Sequence, residues 1–290
     1  MKTVWVFPGQ GSQAVGMGVD LATTAIGKTK FEKAQEILGW SVIERCQGDE
    51  TELSRTLYTQ PCLYVIESIL VDLLTEKGQL PDLVAGHSLG EYSALYAAKV
   101  FDFATGLQLV KRRAELMSEA AGGKMVALMK FDRSQLEMAI AAIPDVVLAN
   151  DNSEQQVVIS GTPEAVDQLC SQVQAKRALP LKVSGAFHSP LMAKAAAQFQ
   201  ELLEAAHFLD AQVPLLSNID PTPATSATLL KDRLIKQMTG SVRWREIMLS
   251  LSSEGVTQAI EVGPGKVLAG LIKRACPEIA QGNVGCIADL

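Results

Sequence analysis

The chain has 290 residues, 48% of them hydrophobic and 20% charged. That is a globular balance, with apolar material for a large core or for one core and a smaller second one. The formal net charge is -6 and no basic stripe with interleaved aromatics is present, which excludes nucleic acid as an expected partner but leaves open an anion held in a local basic pocket.

In chain order, "TVWVF" (3–7) reads as a buried strand and "PGQGSQAVGMG" (8–18) as a glycine-rich loop. "PCLYVIESILVDLLTEKG" (61–78) and "FATGLQLVKRRAELMSEA" (103–120) have helical spacing, with the strand "DLVAG" (82–86) between them. The middle reads differently. "KMVALMK" (124–130) is a strand, "DRSQLEMAIAAI" (132–143) a helix with an aspartate cap, and "DVVLAND" (145–151) and "QQVVISG" (155–161) are two strands joined by a polar turn. "TPEAVDQLCSQVQAKR" (162–177) opens as a helix with Thr, Pro and Glu, and "ALPLKVSG" (178–185) closes as a strand. The order βαββαβ matches a ferredoxin-like unit. Further strands follow at "VPLLSNI" (213–219) and "AIEVGPG" (259–265). The expected class is therefore α/β: a large domain with a parallel sheet, residues 1–124 and 189–290, and an inserted ferredoxin-like subdomain, residues 125–188. Gly122 and Gly123 mark the first boundary.

The cysteines are Cys46, Cys62, Cys170, Cys276 and Cys286. An odd, scattered set without a Cys-x-x-Cys pair argues against a disulfide framework and against a zinc site, so reduced cysteines and no metal are expected. The opening "MKTVWVFPGQGSQ" is broken by Pro8 too early for a secretion signal, and no apolar run looks long enough to span a bilayer. A cytoplasmic protein without a membrane segment is the expectation.

Residues 86–90, "GHSLG", fit G-x-S-x-G with a strand before and a helix after. A sharp strand-to-helix turn projects Ser88 at a helix N-terminus, where free N–H groups favour negative charge, and the Leu89 amide can face an oxyanion hole. The rival reading is a glycine-flanked turn whose serine caps the helix. A nucleophilic serine needs a base, and the chain has three histidines, His87, His188 and His207. His87 adjoins the serine and points elsewhere, as a pocket wall. His207 ends a helical pattern at the surface. His188 lies in a loop between Gly185 and Pro190, and by elimination it is the base.

Six motifs match one pattern in order: "FPGQGSQ" (7–13), "TQPCL" (59–63), "GHSLGEYSAL" (86–95), "RAELM" (113–117), "GAFHSPLM" (185–192) and "EVGPGKVLAGL" (261–271). Together they resemble the malonyl-CoA:acyl-carrier-protein transacylase family of fatty-acid and polyketide synthesis. The resemblance implies an α/β-hydrolase-like large domain, a ferredoxin-like small domain and a site in the cleft between them. It implies ping-pong transfer: Ser88 takes malonyl from malonyl-CoA with His188 as base, then gives it to the phosphopantetheine thiol of an acyl carrier protein. No bound cofactor is implied.

The resemblance makes Gln10 the second oxyanion amide, beside Leu89, and Arg113 the holder of the malonyl carboxylate. By position alone Arg113 could be a solvated helix residue like Arg112. Gln237 falls where the family orients its histidine with a carbonyl instead of a carboxylate. Gln60 matches a pocket-lining residue, with a buried amide bonded to backbone as its rival. Phe187 matches the ring of malonyl-selective members. Asn152 either faces the CoA or phosphopantetheine arm or forms a turn. "VFDFATGLQLVKRRAELMSEA" (100–120) and "SGAFHSPLM" (184–192) resemble free-standing acyltransferases acting in trans for polyketide synthases, with the fatty-acid enzyme as the alternative. A monomer is expected, meeting its carrier protein transiently. An editing acyl hydrolase and a non-catalytic docking protein are the rivals from other classes.

Overall fold

A computed structural model describes residues 2–290. Its strands are β1 Lys2–Phe7, β2 Leu83–Gly86, β3 Lys124–Phe131, β4 Val146–Ser153, β5 Gln156–Gly161, β6 Ala175–Pro180, β7 Leu215–Leu216, β8 Val256–Val262 and β9 Ala280–Val284. Its helices are α1 Ala25–Leu38, α2 Val42–Gln47, α3 Glu50–Leu53, α4 Thr56–Glu76, α5 Gly90–Ala97, α6 Phe103–Glu119, α7 Arg133–Ala142, α8 Pro163–Gln172, α9 Ala193–Ala205, α10 Ala227–Gln237, α11 Trp244–Ser253 and α12 Val267–Ala275.

The strands form two sheets. One is parallel, in the order β7-β2-β1-β8-β9. Its central strand is apolar on both faces: Trp5 and Phe7 join one core cluster, Val4 and Val6 the other. Strand alternation sends neighbours to opposite faces, so such a run is stable only with both faces covered. The other sheet is antiparallel, in the order β4-β5-β3-β6. Its first and third strands lie in the centre, the ferredoxin-like arrangement expected from the βαββαβ order. Val126, Leu128, Val157 and Ile159 pack with Leu136 of α7 and with Val166 and Leu169 of α8. The opposite face sends Met125, Ala127 and Val158 into the main core. The α/β class read from the sequence is thus the observed one.

Local signals start the helices where expected. Asp102, Asp132 and Thr162 each accept a hydrogen bond from a first-turn N–H of α6, α7 and α8. Three details differ from the sequence reading. α8 ends at Gln172 rather than running to Arg177, because Ala175–Pro180 is drawn into the ladder beside β3. α4 begins at Thr56 and carries Pro61 inside it, since its packing outweighs the lost main-chain donor. β9 has no apolar alternation and is held at the sheet edge by pairing with β8.

The bilayer expectation also needs correction. α4, with 21 residues, is long and apolar enough to cross a membrane, and 83% of its apolar window is buried inside the molecule. Gln60, Glu67 and Ser68 interrupt the apolar run and hid its length, yet all three are buried on this core helix. All five cysteines are free, three of them buried.

Candidate active site

β2 ends at Gly86 and α5 begins at Gly90, which leaves His87, Ser88 and Leu89 to make the turn. Ser88 has φ 52°, a left-handed backbone that a non-glycine residue adopts at a cost. The flanking glycines are obligatory. A Cβ on Gly86 would stand 2.0 Å from the Gly90 carbonyl carbon, and one on Gly90 would stand 2.1 Å from Phe7 O. Asn218 holds the strained turn. Its Oδ1 accepts from Ser88 N–H at 2.7 Å, and its Nδ2 donates to Gly86 O at 2.6 Å.

The Ser88 hydroxyl lies 2.8 Å from His188 Nε2. On the other side of the ring, Nδ1 faces the main-chain carbonyls of Gln237 at 3.0 Å and Gly240 at 3.1 Å. Two carbonyl acceptors place the proton on Nδ1, which leaves Nε2 free to accept from Ser88. Burial, followed by the Arg113 charge, pulls His188 down to about 3, so the imidazole is neutral at physiological pH. His188 itself has φ 57°.

Arg113 is fully buried on α6, in the apolar stripe with Leu109, Val110 and Met117, while Arg112 turns outward to pair with Glu115. Arg113 Nη2 donates to Ser88 Oγ at 3.1 Å and to Gln237 Oε1 at 3.2 Å, and Nη1 donates to Gln60 Oε1 at 2.8 Å. Its guanidinium carbon stands 5.4 Å from the centre of the Tyr92 ring. A buried cation beside the serine oxygen favours its ionised form.

Ser88, His188, Arg113 and Gln60 line a cavity of about 290 Å³ between the two sheets. Pro8–Gly9–Gln10 forms one wall. A Cβ on Gly9 would sit 2.4 Å from His87 O and 3.6 Å from Leu89 N, so glycine lets this loop lie against the turn. The Gln10 side chain donates to Thr56 Oγ1 at 3.1 Å. The antiparallel sheet supplies Met125, Ala127, Asn150, Asn152, Gln156 and Val158. Asn152 lies in β4, not in a turn, and its Oδ1 is 2.7 Å from His87 Nε2. Burial lowers the His87 pKa. His87 packs edge-on against Trp244 at 5.6 Å. Gln60 bonds to the side chains of Arg113 and Met117, rather than to backbone. Phe187 is buried beside His188 in the lining. His207 is exposed just beyond α9. Ser88, His188, Arg113, Gln237, Gln60, His87, Asn152, Phe187, Gln10 and Leu89 therefore meet in one place.

The acyl transferase domain model matches residues 4–288. The chain belongs to this acyl transferase family. Among its relatives is the malonyl CoA-acyl carrier protein transacylase of Synechocystis sp., 64% identical over 100% of this chain and 99% of the relative. The crystal structure of a Synechocystis malonyl-CoA:ACP transacylase superimposes with TM-score 0.98, again covering 100% and 99% of the two chains. A polyketide-biosynthesis malonyl CoA-acyl carrier protein transacylase of Bacillus subtilis is 42% identical over 93% of this chain and 96% of the relative.

Three groups of this candidate site escaped the sequence reading: Asn218, Gly240 and Glu91. Asn218 follows a strand end, and Gly240 contributes a main-chain carbonyl that no side-chain pattern marks. Glu91 had a signal, an acidic residue three positions after the serine in an otherwise apolar helix.

Proposed function

We propose that the protein moves malonyl from malonyl-CoA to the phosphopantetheine thiol of an acyl carrier protein by a ping-pong reaction on Ser88. Ser88 Oγ attacks the thioester carbonyl while its proton passes to His188 Nε2. The resulting oxyanion faces the N–H groups of Gln10 and Leu89. The C–S bond breaks, and the CoA sulfur leaves with the proton from His188. The carrier thiol then gives its proton to His188 and attacks the malonyl ester carbonyl; the ester C–O bond breaks, and His188 returns the proton to Ser88 Oγ. A base of low pKa suffices because a thioester is already activated and the adjacent Arg113 charge eases ionisation of the serine.

The observation that carries this reading is Arg113, fully buried with a donor 3.1 Å from the Ser88 oxygen. A guanidinium there fits an acyl group that ends in a carboxylate, through bonds a lysine cannot copy. It also argues against the editing hydrolase, which has no use for a carboxylate holder. Phe187 beside the base favours an unbranched malonyl, by about 1–3 kcal/mol for one methyl group. The test is intact mass after mixing with malonyl-CoA. A malonyl adduct that depends on Ser88 and passes to a carrier protein faster than malonate appears supports the transferase. Dominant malonate release would sink it.

The pathway reading shifts. The sequence favoured a polyketide role, but the 64% identical relative is named without a polyketide designation, while a polyketide-designated one stands at 42%. The fatty-acid alternative is the better supported. The relevant kind of contact exists in a solved complex of a type II polyketide acyl-carrier protein with its malonyl-transacylase, whose chain matches at 38% identity and TM-score 0.94 over 100% of this chain and 97% of its own. We further take the antiparallel unit as an inserted subdomain near residues 125–188, since β3 to β6 form a sheet of their own. We take the protein to act as a monomer in the cytoplasm, which free cysteines suit.

A further inference from the structure

Glu91 is 1% exposed, on α5 directly below the nucleophile. Its Oε2 accepts from Asn218 N at 3.1 Å and from Gln237 Nε2 at 2.8 Å. The same Gln237 nitrogen donates to Ser88 O at 2.9 Å, and the Gln237 oxygen accepts from Arg113 at 3.2 Å. One amide thus stands between a buried cation and a buried carboxyl, with its oxygen toward the cation and its N–H toward the acid. The three hydrogen-bond acceptors of Arg113 are neutral oxygens, on Gln60, Ser88 and Gln237, and Arg113 Nε has no partner among the described residues.

A buried cation without a counter-charge is costly, and a carboxylate bonded directly to it would occupy the donors that a substrate needs. The amide between them meets both demands. We propose that Glu91 is the resident counter-charge of Arg113, acting through Gln237 as a positioning residue that offsets the buried guanidinium charge while leaving donors for an incoming acyl carboxylate. The proposal rests on the carboxylate-binding reading of Arg113. Burial raises the Glu91 pKa, and the donors on Gln237 and Asn218, together with the Arg113 charge, act against that. The dipole of the bridging amide is aligned for an anion at Glu91.

With the counter-charge removed, a malonyl group still brings its own carboxylate to Arg113, whereas an acetyl group leaves the cation unbalanced. Glu91→Gln keeps the shape and an acceptor oxygen. In single-turnover acylation of Ser88 its acetyl-to-malonyl rate ratio should fall by about tenfold, within the range for coupled neighbours. Free malonate should raise its melting temperature more than that of the unaltered enzyme. Both effects should vanish in the Arg113→Ala background, because they act through Arg113. An unchanged ratio with equal malonate shifts, or effects that persist without Arg113, would overturn the proposal. If E91Q does not fold, Gln237→Met cuts the bridge and retains the main-chain carbonyl at His188. An unchanged acetyl-to-malonyl ratio in that variant overturns the proposal equally. Should Ser88 accept neither acyl group, the transferase reading fails, while the malonate melting shift still decides whether Glu91 and Arg113 are coupled.

Discussion

The two walls of the cleft are built on different principles. The side belonging to the parallel sheet holds Ser88, His188, Arg113 and Gln237 in one network, and each of the four residues has a named partner within 3.2 Å. The antiparallel sheet presents Met125, Ala127 and Val158, with a few amides among them. Chemistry sits where a strained turn is pinned from below. Shape sits on a sheet whose far face is filled by its own helices. A wall that only excludes water and sets width tolerates change better than one that must align charges.

The largest expected effect tests the first wall. Ser88→Ala should abolish the acyl-enzyme adduct in intact mass and lower transfer by about a thousandfold or more. An adduct that survives would move the nucleophile elsewhere. Next, Arg113→Ala should cost malonyl transfer about 2–5 kcal/mol, the range for truncating one partner of a buried charge pair, and cost acetyl transfer clearly less, since acetyl loses only the contact at the serine. Equal losses for both acyl groups would remove Arg113 as the carboxylate holder. On the second wall, Asn152→Ala should cost about 1 kcal/mol, one hydrogen bond to His87, seen in the malonyl-CoA concentration dependence rather than in the chemical step. A loss as large as that of Arg113→Ala would break the contrast between the walls.

Acid sensitivity follows from His188. Its folded value, about 3, lies below the 6.5 of a free histidine, so the unfolded chain binds more protons between those values. Stability from this group is complete above pH 6.5 and is lost as pH falls toward 3. Melting temperature against pH should therefore decline on the acid side less steeply in His188→Gln.

The smallest effect concerns a second buried acid that contrasts with Glu91. Glu67 on α4 has both oxygens without partners among the described residues, and burial holds its pKa well above the usual carboxyl value. The folded chain keeps this proton where the unfolded chain loses it, so the penalty begins above about pH 4.5 and grows with pH. Glu67→Gln should raise the melting temperature more at neutral pH than at about pH 4, because only the carboxyl is under pressure to ionise as pH rises. A neutral or harmful effect at pH 7 would show that the carboxyl has a function the amide cannot replace.

Much of this was legible in advance, because it is written in local patterns. The βαββαβ order, the helix caps at Asp102, Asp132 and Thr162, and the glycine-flanked serine each depend on residues close in the chain. Arg113 was legible only through the family resemblance of "RAELM", since by position alone it looks like Arg112, and its burial is a finding of the structure. The pieces that stayed hidden depend on distant backbone. Gly240 O is an acceptor because α10 ends near His188, and β6 is a strand because β3 lies beside it.

By itself the sequence determined the α/β class, the turn that strains Ser88 and the set of candidate site side chains. Only the tertiary structure decided their protonation and pairing. It buried Arg113 against Ser88, drove His188 down to about 3 by burial and by that cation, and placed one amide between Arg113 and Glu91. The physical reason is that charge and hydrogen-bond energies depend on distance and desolvation, and neither exists until residues 25 to 149 positions apart share one cavity wall.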